Sequence, residues 1–133
     1  MWASIPLFVF VVIGYNVLVF SFPGVIDQQL FIAKLLSGAE WRFGVADLIL
    51  VISLIFLYIE IFRATRTSTV SIINHVLSLL VFVACLIEFI VLPQAGTSTF
   101  FLIMLMTLID VIGGFTVTIT AARRDIGFNP GGR

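Results

Sequence analysis

The chain is 133 residues long, 61% hydrophobic and only 11% charged, and its mean hydropathy is +1.24. A soluble domain of this size is about a quarter charged, so the composition excludes an ordinary soluble domain and predicts an all-α integral membrane protein. Seven basic and seven acidic residues cancel, which excludes the strongly basic face of a nucleic-acid-binding protein, and one cysteine and one histidine exclude a zinc site within one copy.

Four apolar runs are long enough to cross a bilayer, because about 20 apolar residues in a helix cover roughly 30 Å of hydrocarbon. These runs, called spans one to four, cover about residues 4–22, 44–62, 70–92 and 100–122. Helices are expected because lipid offers backbone groups no hydrogen-bond partner. No Lys or Arg precedes Lys34, so a signal peptide is not expected and span one is expected to be retained. The prediction is a single transmembrane domain over residues 1–133, built as a bundle of four transmembrane helices.

The longest connection, residues 25–43, is expected to form an amphipathic interfacial helix between spans one and two. Helical spacing places one group of apolar residues on one side, namely Phe31, Ile32, Leu35, Leu36 and Ala39. The polar residues fall mostly on the other side, namely Asp27, Lys34, Ser37 and Glu40. Trp41 and Arg42 follow where membrane-interface anchors are expected. A helix that caps the bundle or packs on a partner subunit fits the pattern equally well.

Basic residues at the ends of spans two and four predict the orientation of the chain. The anchors expected at these ends are Arg63, Arg66, Arg123 and Arg124. Under the positive-inside rule, both termini and the loop over 63–69 are expected in the cytoplasm, with a short cytoplasmic tail over 123–133. The expected location is the bacterial inner (plasma) membrane, crossed several times. Thr97 and Ser98 can cap the helix of span four.

Polar side chains inside the spans recur at helical spacing, so each polar set is expected to share one face. Span two carries Ser53 and Glu60, with Asp47 nearer its start. On span three the face is Ser71, Asn74, His75, Ser78, Cys85 and Glu88. On span four it is Thr107, Asp110, Gly113, Gly114 and Thr118. At about 1.5 Å per residue, Glu60 and His75 are expected near the cytoplasmic side. The midplane set is Ser53, Asp110, Tyr15 and Asn16, and the outer set is Asp47, Cys85 and Glu88.

The first candidate for a functional residue is Asp110, a carboxylate in the middle of span four. The wider candidate set is Glu60, His75, Glu88, Asp47, Asn16, Ser53 and Thr107. One interpretation is a proton or cation path, because carboxylates and histidine can change protonation when partly buried. The other is polar contact between helices, with Asp110 protonated or bonded to Asn16, Tyr15 or Ser53, and Glu60 paired with Arg63. Gly113 and Gly114 are expected to let span four pack closely.

No catalytic or phosphate-binding motif occurs, so neither an enzyme nor a cofactor is expected. Two classes remain. The first is a small oligomeric proton or cation channel or transporter, and the second is a non-catalytic structural or accessory subunit of a larger membrane protein complex. The expected partners are the lipid bilayer and either copies of the chain or other membrane protein subunits, without nucleic acid or metal. The two classes differ at Asp110, because a conduit needs it in contact with water and an accessory subunit allows it to be sealed and bonded.

Overall fold

The computed structural model describes residues 4–65 and 69–127. In these ranges the helices are α1 (Phe8–Ser21), α2 (Val45–Arg63), α3 (Thr69–Val91) and α4 (Ser98–Gly127). Strands β1 (Gln29–Lys34) and β2 (Glu40–Gly44) form an antiparallel pair between α1 and α2. Single 3₁₀ turns occupy Val25–Asp27 and Pro93–Ala95.

Helices α2, α3 and α4 are long and apolar enough to cross a membrane, whereas α1 is shorter. The 14 residues of α1 extend over about 21 Å at 1.5 Å per residue, less than the roughly 30 Å of bilayer hydrocarbon. Span one was predicted to begin at residue 4, but α1 begins at Phe8. Pro6 explains the difference, because a proline disfavours the helical conformation of the residue before it.

Helix α4 extends five residues beyond the predicted end of span four, through Gly127. The sequence prediction treated residues 123–133 as a tail, but charged residues end an apolar span without ending a helix. Arg123 and Arg124 are exposed, and arginine is a good helix former. The part of the predicted tail that follows Gly127 lies outside the described residues.

Helix α4 packs against both α3 and α2, while α1 packs mainly against α2. The apolar core joins buried residues of α1 to the first half of α4. Its largest members are Phe8, Tyr15, Phe100 and Ile103. The rings of Tyr15 and Phe100 lie 5.0 Å apart. The outward faces of the long helices carry exposed leucine and isoleucine side chains.

The segment predicted as an amphipathic helix is instead a β-hairpin. Phe31 lies opposite Phe43, and Ala33 lies opposite Trp41. Gly38, in the turn, has φ of 88°, a left-handed conformation that interrupts any helix over this segment. Aromatic and β-branched residues pack well on a pleated surface, and a Ser-Gly pair favours a turn. The prediction of an interfacial helix was therefore wrong, and so was the alternative of a helix that caps the bundle.

At the starts of α4 and α2, side-chain oxygens accept hydrogen bonds from backbone N–H groups. Thr97 Oγ1 accepts a hydrogen bond from the Phe100 N–H at 3.1 Å, in the role predicted for it as the cap of α4. Asp47 Oδ2 accepts from the Gly44 N–H at 2.9 Å at the start of α2. Asp47 is exposed, so this carboxylate acts on its own helix end and not on the interior of the bundle.

Candidate functional site

In the described part of the chain, seven polar side chains are buried between α2, α3 and α4, and we call them the polar core. They are Ser53, Glu60, Asn74, His75, Ser78, Thr107 and Asp110. Each helix presents its members at intervals that bring them to one face, which is why the sequence could indicate those faces. Among the described residues, every fully buried side-chain nitrogen and oxygen has a hydrogen-bond partner, as is usual for buried polar groups.

The N-terminal segment, residues 4–7, lies over one end of the polar core. Glu60 Oε1 accepts hydrogen bonds from the Leu7 N–H and from Arg63 Nη1, the latter at 3.0 Å. Arg63 Nη1 also donates to the Ile5 carbonyl at 3.5 Å, and Asn74 Nδ2 donates to the Ser4 carbonyl at 3.3 Å. Backbone groups of this segment thus join α2 to α3 at the Glu60 end.

Asp110 lies in the interface of α3 and α4, with only 3% of its surface exposed. The Ser78 hydroxyl of α3 lies beside its carboxyl group, and Glu60 and Arg63 lie near enough to act on it electrostatically. The partners predicted for it were Asn16, Tyr15 and Ser53, and these were wrong. The sequence indicated the face of α4 that carries Asp110, but not which neighbouring helix meets that face.

Ser78, the neighbour of Asp110 on α3, is also bonded within its own helix. Its Oγ donates to the Asn74 carbonyl at 2.9 Å. This bond uses the single proton of the hydroxyl and leaves its oxygen as an acceptor.

The single histidine packs against α4 at a glycine. A Cβ atom built on Gly114 would lie 2.9 Å from both Cε1 and Nδ1 of His75, so only glycine leaves room for the ring. The His75 ring also lies 5.2 Å from that of Phe115. Gly113 faces α2, where a Cβ would meet Ile61 at an ordinary 3.7 Å. His75 thus packs closely against α4 at Gly114 and Phe115.

The remaining hydroxyls of the polar core bond mainly within their own helices. Ser53 Oγ donates to the Ile49 carbonyl at 2.7 Å, and Thr107 Oγ1 donates to the Met104 carbonyl at 2.6 Å. The buried Cys85 thiol of α3 lies beside the Thr107 hydroxyl. The bonds to Ile49 and Met104 use the hydroxyl protons within the same helix.

Three predicted residues lie away from the polar core, at the other end of α1. Asn16 Nδ2 donates to Glu88 Oε2 at 2.9 Å, and the Tyr15 hydroxyl lies 2.7 Å from Thr97 Oγ1. Tyr15 and Asn16 were predicted at the level of Asp110, but Asn16 meets Glu88, which was predicted for the outer level, and Tyr15 meets Thr97 in the connection between α3 and α4. The depth calculation failed because it gave span one the full bilayer thickness, whereas α1 is short.

Of the predicted interface anchors, Trp41 and Arg42 lie on the hairpin and are exposed. Arg123 and Arg124 are exposed on the last turns of α4, and Arg63 is bonded to Glu60. The other predicted residues, Arg66 and the side chains of Ser71 and Thr118, lie outside the described part of the chain.

A substitution at Tyr15 tests the attachment of α1. In Tyr15→Phe the hydroxyl bonded to Thr97 and to the Gln94 carbonyl (3.2 Å) is lost. The free energy of unfolding in micelles, followed by far-UV circular dichroism, is expected to fall by about 1 kcal/mol. The control is Tyr58→Phe, because Tyr58 is exposed on α2 and its substitution should change little. Equal effects of the two substitutions would contradict the described bonds.

Two pockets in the described part of the chain are lined by none of the polar-core residues. One is a groove of about 290 Å³ between α1 and α2, lined by apolar side chains together with Gly14 and Tyr15. The other, about 230 Å³, lies at the end of α1 beside Asp27 and Thr97. Within residues 4–65 and 69–127, no three His, Cys, Asp or Glu side chains come together as metal ligands.

The site is thus a set of buried polar side chains on α2, α3 and α4, and the N-terminal segment is bonded to one end of it. Comparisons of the chain with protein-family models, with curated proteins and with solved structures give no match. The function has to be inferred from the geometry.

Proposed function

We propose that the chain is a non-catalytic subunit of a membrane protein assembly, and that its polar core holds its own helices together. The observation that carries this proposal is the burial of Asp110, with 3% of its surface exposed and the Ser78 hydroxyl beside its carboxyl group. A conduit would need this carboxyl in contact with water, whereas a structural subunit needs it bonded. Hydrogen bonds between helices stabilise membrane proteins by about 0.6 kcal/mol on average and up to about 1.7 kcal/mol.

The apolar exterior supports the second half of the proposal, which is the assembly. Side chains such as Leu54, Phe62 and Ile90 are more than half exposed. In a membrane, lipid or the helices of a partner cover such faces. The partner is either another membrane protein subunit or a second copy of the chain.

The proposed location is the inner membrane of a bacterium, with α2, α3 and α4 crossing it. Arg63 at the end of α2 and Arg123 and Arg124 near the end of α4 fall on the same side when these helices cross in alternate directions. The positive-inside rule makes that side cytoplasmic. Placing both termini there also requires the segment that contains α1 to cross.

Proton or cation translocation is the second candidate, and one observation favours it. Glu60 and Asp110 lie within electrostatic reach of one another inside the bundle. Two neighbouring carboxyl groups are the type of residue that a proton relay uses. This candidate requires water to reach them in a conformation other than the one described.

Asp110→Asn separates the two candidates. The amide can still donate to Ser78, so the proposal expects an unfolding free energy within about 1 kcal/mol of wild type. Co-purification of other membrane subunits, or dimer formation, should be unchanged. Proteoliposomes loaded with a pH-sensitive dye should show the proton leak of empty vesicles with wild type, with Asp110→Asn and with the exposed-carboxylate control Asp47→Asn. Wild-type flux that Asp110→Asn abolishes and Asp47→Asn retains would overturn the proposal in favour of the conduit.

A further inference from the structure

The hairpin of β1 and β2 has two chemically different faces. Alternation along the strands places Phe31, Ala33, Trp41 and Phe43 on one side, which we call the aromatic face. Its rings contact each other, with Phe31 5.0 Å from Phe43 and 5.4 Å from Trp41. The opposite side, the charged face, carries Ile32, Lys34, Glu40 and Arg42. On it Arg42 Nη2 lies 3.3 Å from Glu40 Oε2.

The aromatic face is not covered by the helices. Phe31 is 46% exposed and Trp41 is 47% exposed, although both rings already pack against neighbours in the hairpin. In the turn between the strands, Leu35 is about half exposed and Leu36 is fully exposed. An exposed apolar surface that is continuous in this way marks a site of contact with a membrane or another protein.

The start of α2 fixes where the base of the hairpin lies. Gly44 ends β2 and Val45 begins α2, so no linker separates the two elements. The Val45 N–H donates to the Gln28 carbonyl at 2.9 Å, and a Cβ on Gly44 would lie 2.8 Å from that same oxygen. The base is therefore tied closely to the first turn of α2.

The length of α2 then fixes the depth of that base. Its 19 residues extend over about 28 Å, close to the roughly 30 Å of bilayer hydrocarbon. When α2 crosses the membrane, its first residue lies at the boundary between hydrocarbon and headgroups. The hairpin begins at this level, which is where aromatic side chains are enriched in membrane proteins.

We propose that the hairpin lies in the headgroup region of the bilayer, with its aromatic face and the Leu35–Leu36 turn toward the acyl chains. The charged face then points to water, and Lys34 and Arg42 can contact lipid phosphates from it. The occupant of the aromatic face is lipid, because the base of the hairpin lies at the hydrocarbon boundary and α2, which follows it without a linker, exposes Leu48, Val51 and Ile52 in its first two turns. This inference rests on the proposed membrane crossing of α2.

The test places spin labels on single cysteines in a Cys85→Ser background, in full-length protein reconstituted into phosphatidylcholine and phosphatidylglycerol vesicles. The matched pair is Ala33→Cys on the aromatic face and Ile32→Cys on the charged face, neighbours whose side chains point in opposite directions. Frequent collision of the spin label with oxygen indicates that the label lies among acyl chains. Frequent collision with a water-soluble nickel complex indicates that it lies in water. The ratio of oxygen to nickel collisions is expected to be severalfold higher at Ala33→Cys than at Ile32→Cys, and also high at Leu36→Cys.

Ile55→Cys, at an exposed position in the middle of α2, makes the two proposals separable. High oxygen collision there, with water contact at both Ala33→Cys and Leu36→Cys, would overturn the hairpin proposal and leave the membrane crossing intact. Water contact at Ile55→Cys would overturn the crossing itself. Spectral broadening at Ala33→Cys that disappears on dilution with unlabelled protein would replace lipid by a second copy of the chain as the occupant, and would also overturn the hairpin proposal.

Discussion

Replacing Glu60 with leucine is expected to lower the free energy of unfolding by about 3 kcal/mol, the low end of the range for breaking a buried ion pair. Glu60 Oε1 accepts from the Leu7 N–H and from Arg63 at 3.0 Å, and its side chain is 1% exposed. Leucine fills the space but accepts neither bond. The low end of the range applies because 28% of the Arg63 side chain remains exposed, so solvent reduces the cost of leaving that charge without its carboxylate.

Two controls separate the effect of the bonds from that of charge alone. Glu60→Gln keeps a side-chain oxygen for Leu7 and Arg63, so a loss of about 1 kcal/mol is expected. Glu40→Gln alters an ion pair whose two side chains are 59% and 60% exposed, and such pairs contribute about 0–1 kcal/mol. Titration of the detergent-solubilised protein with sodium dodecyl sulfate, followed by helical circular dichroism, measures all three. A loss for Glu60→Leu no larger than that for Glu40→Gln would contradict the buried contact.

The contrast between Glu60 and Asp110 shows what periodicity can predict. Spacing along α2 and α4 placed both carboxyl groups on inward faces, because a residue's angular position follows from its number in the helix. Helical spacing also favoured the pair of Glu60 with Arg63, which are three residues apart in one helix. The contact of Asp110 with Ser78 joins α4 to α3. Which residue of α3 meets Asp110 depends on the tilt and rotation of both helices, which the spacing of residues along one helix does not determine.

The N-terminal segment gave no sequence signal for its role. Its contacts with Glu60, Arg63 and Asn74 use backbone groups of Ser4, Ile5 and Leu7. Backbone N–H and C=O groups are the same for nearly every residue type, so composition and spacing cannot distinguish those that a side chain will bond. Only the position of Pro6, which delays the start of α1, could have indicated that this segment is not helical.

The helix predicted for residues 25–43 was wrong for a different reason, which is that the segment is short. Short mixtures of apolar and polar residues match a period of 3.6 and a period of 2 almost equally well. The deciding residue is Gly38, whose φ of 88° suits a turn between strands. A glycine near the middle of a proposed interfacial helix is a stronger argument against the helix than the wheel pattern is for it.

The second large effect is expected at Gly114. In Gly114→Ala the new Cβ would lie 2.9 Å from two atoms of the His75 ring, a distance that requires the ring or α4 to move. His75 is 3% exposed and also contacts Phe115, so the ring has little space. Overpacking of this kind typically costs about 1–3 kcal/mol. Part of that cost is offset, because alanine favours a helix over glycine by about 1 kcal/mol.

Gly113→Ala is the matched control, since it makes the same change one residue earlier in the same helix. Its Cβ would meet Ile61 at 3.7 Å, an ordinary contact, so the helix preference of alanine should stabilise the protein by up to about 1 kcal/mol. The two variants should therefore shift the unfolding midpoint in opposite directions. A double mutant identifies the cause: in a His75→Ala background the ring is absent, and Gly114→Ala should no longer destabilise the protein. If Gly114→Ala remains equally destabilising in that background, contact with His75 is not what requires a glycine at this position.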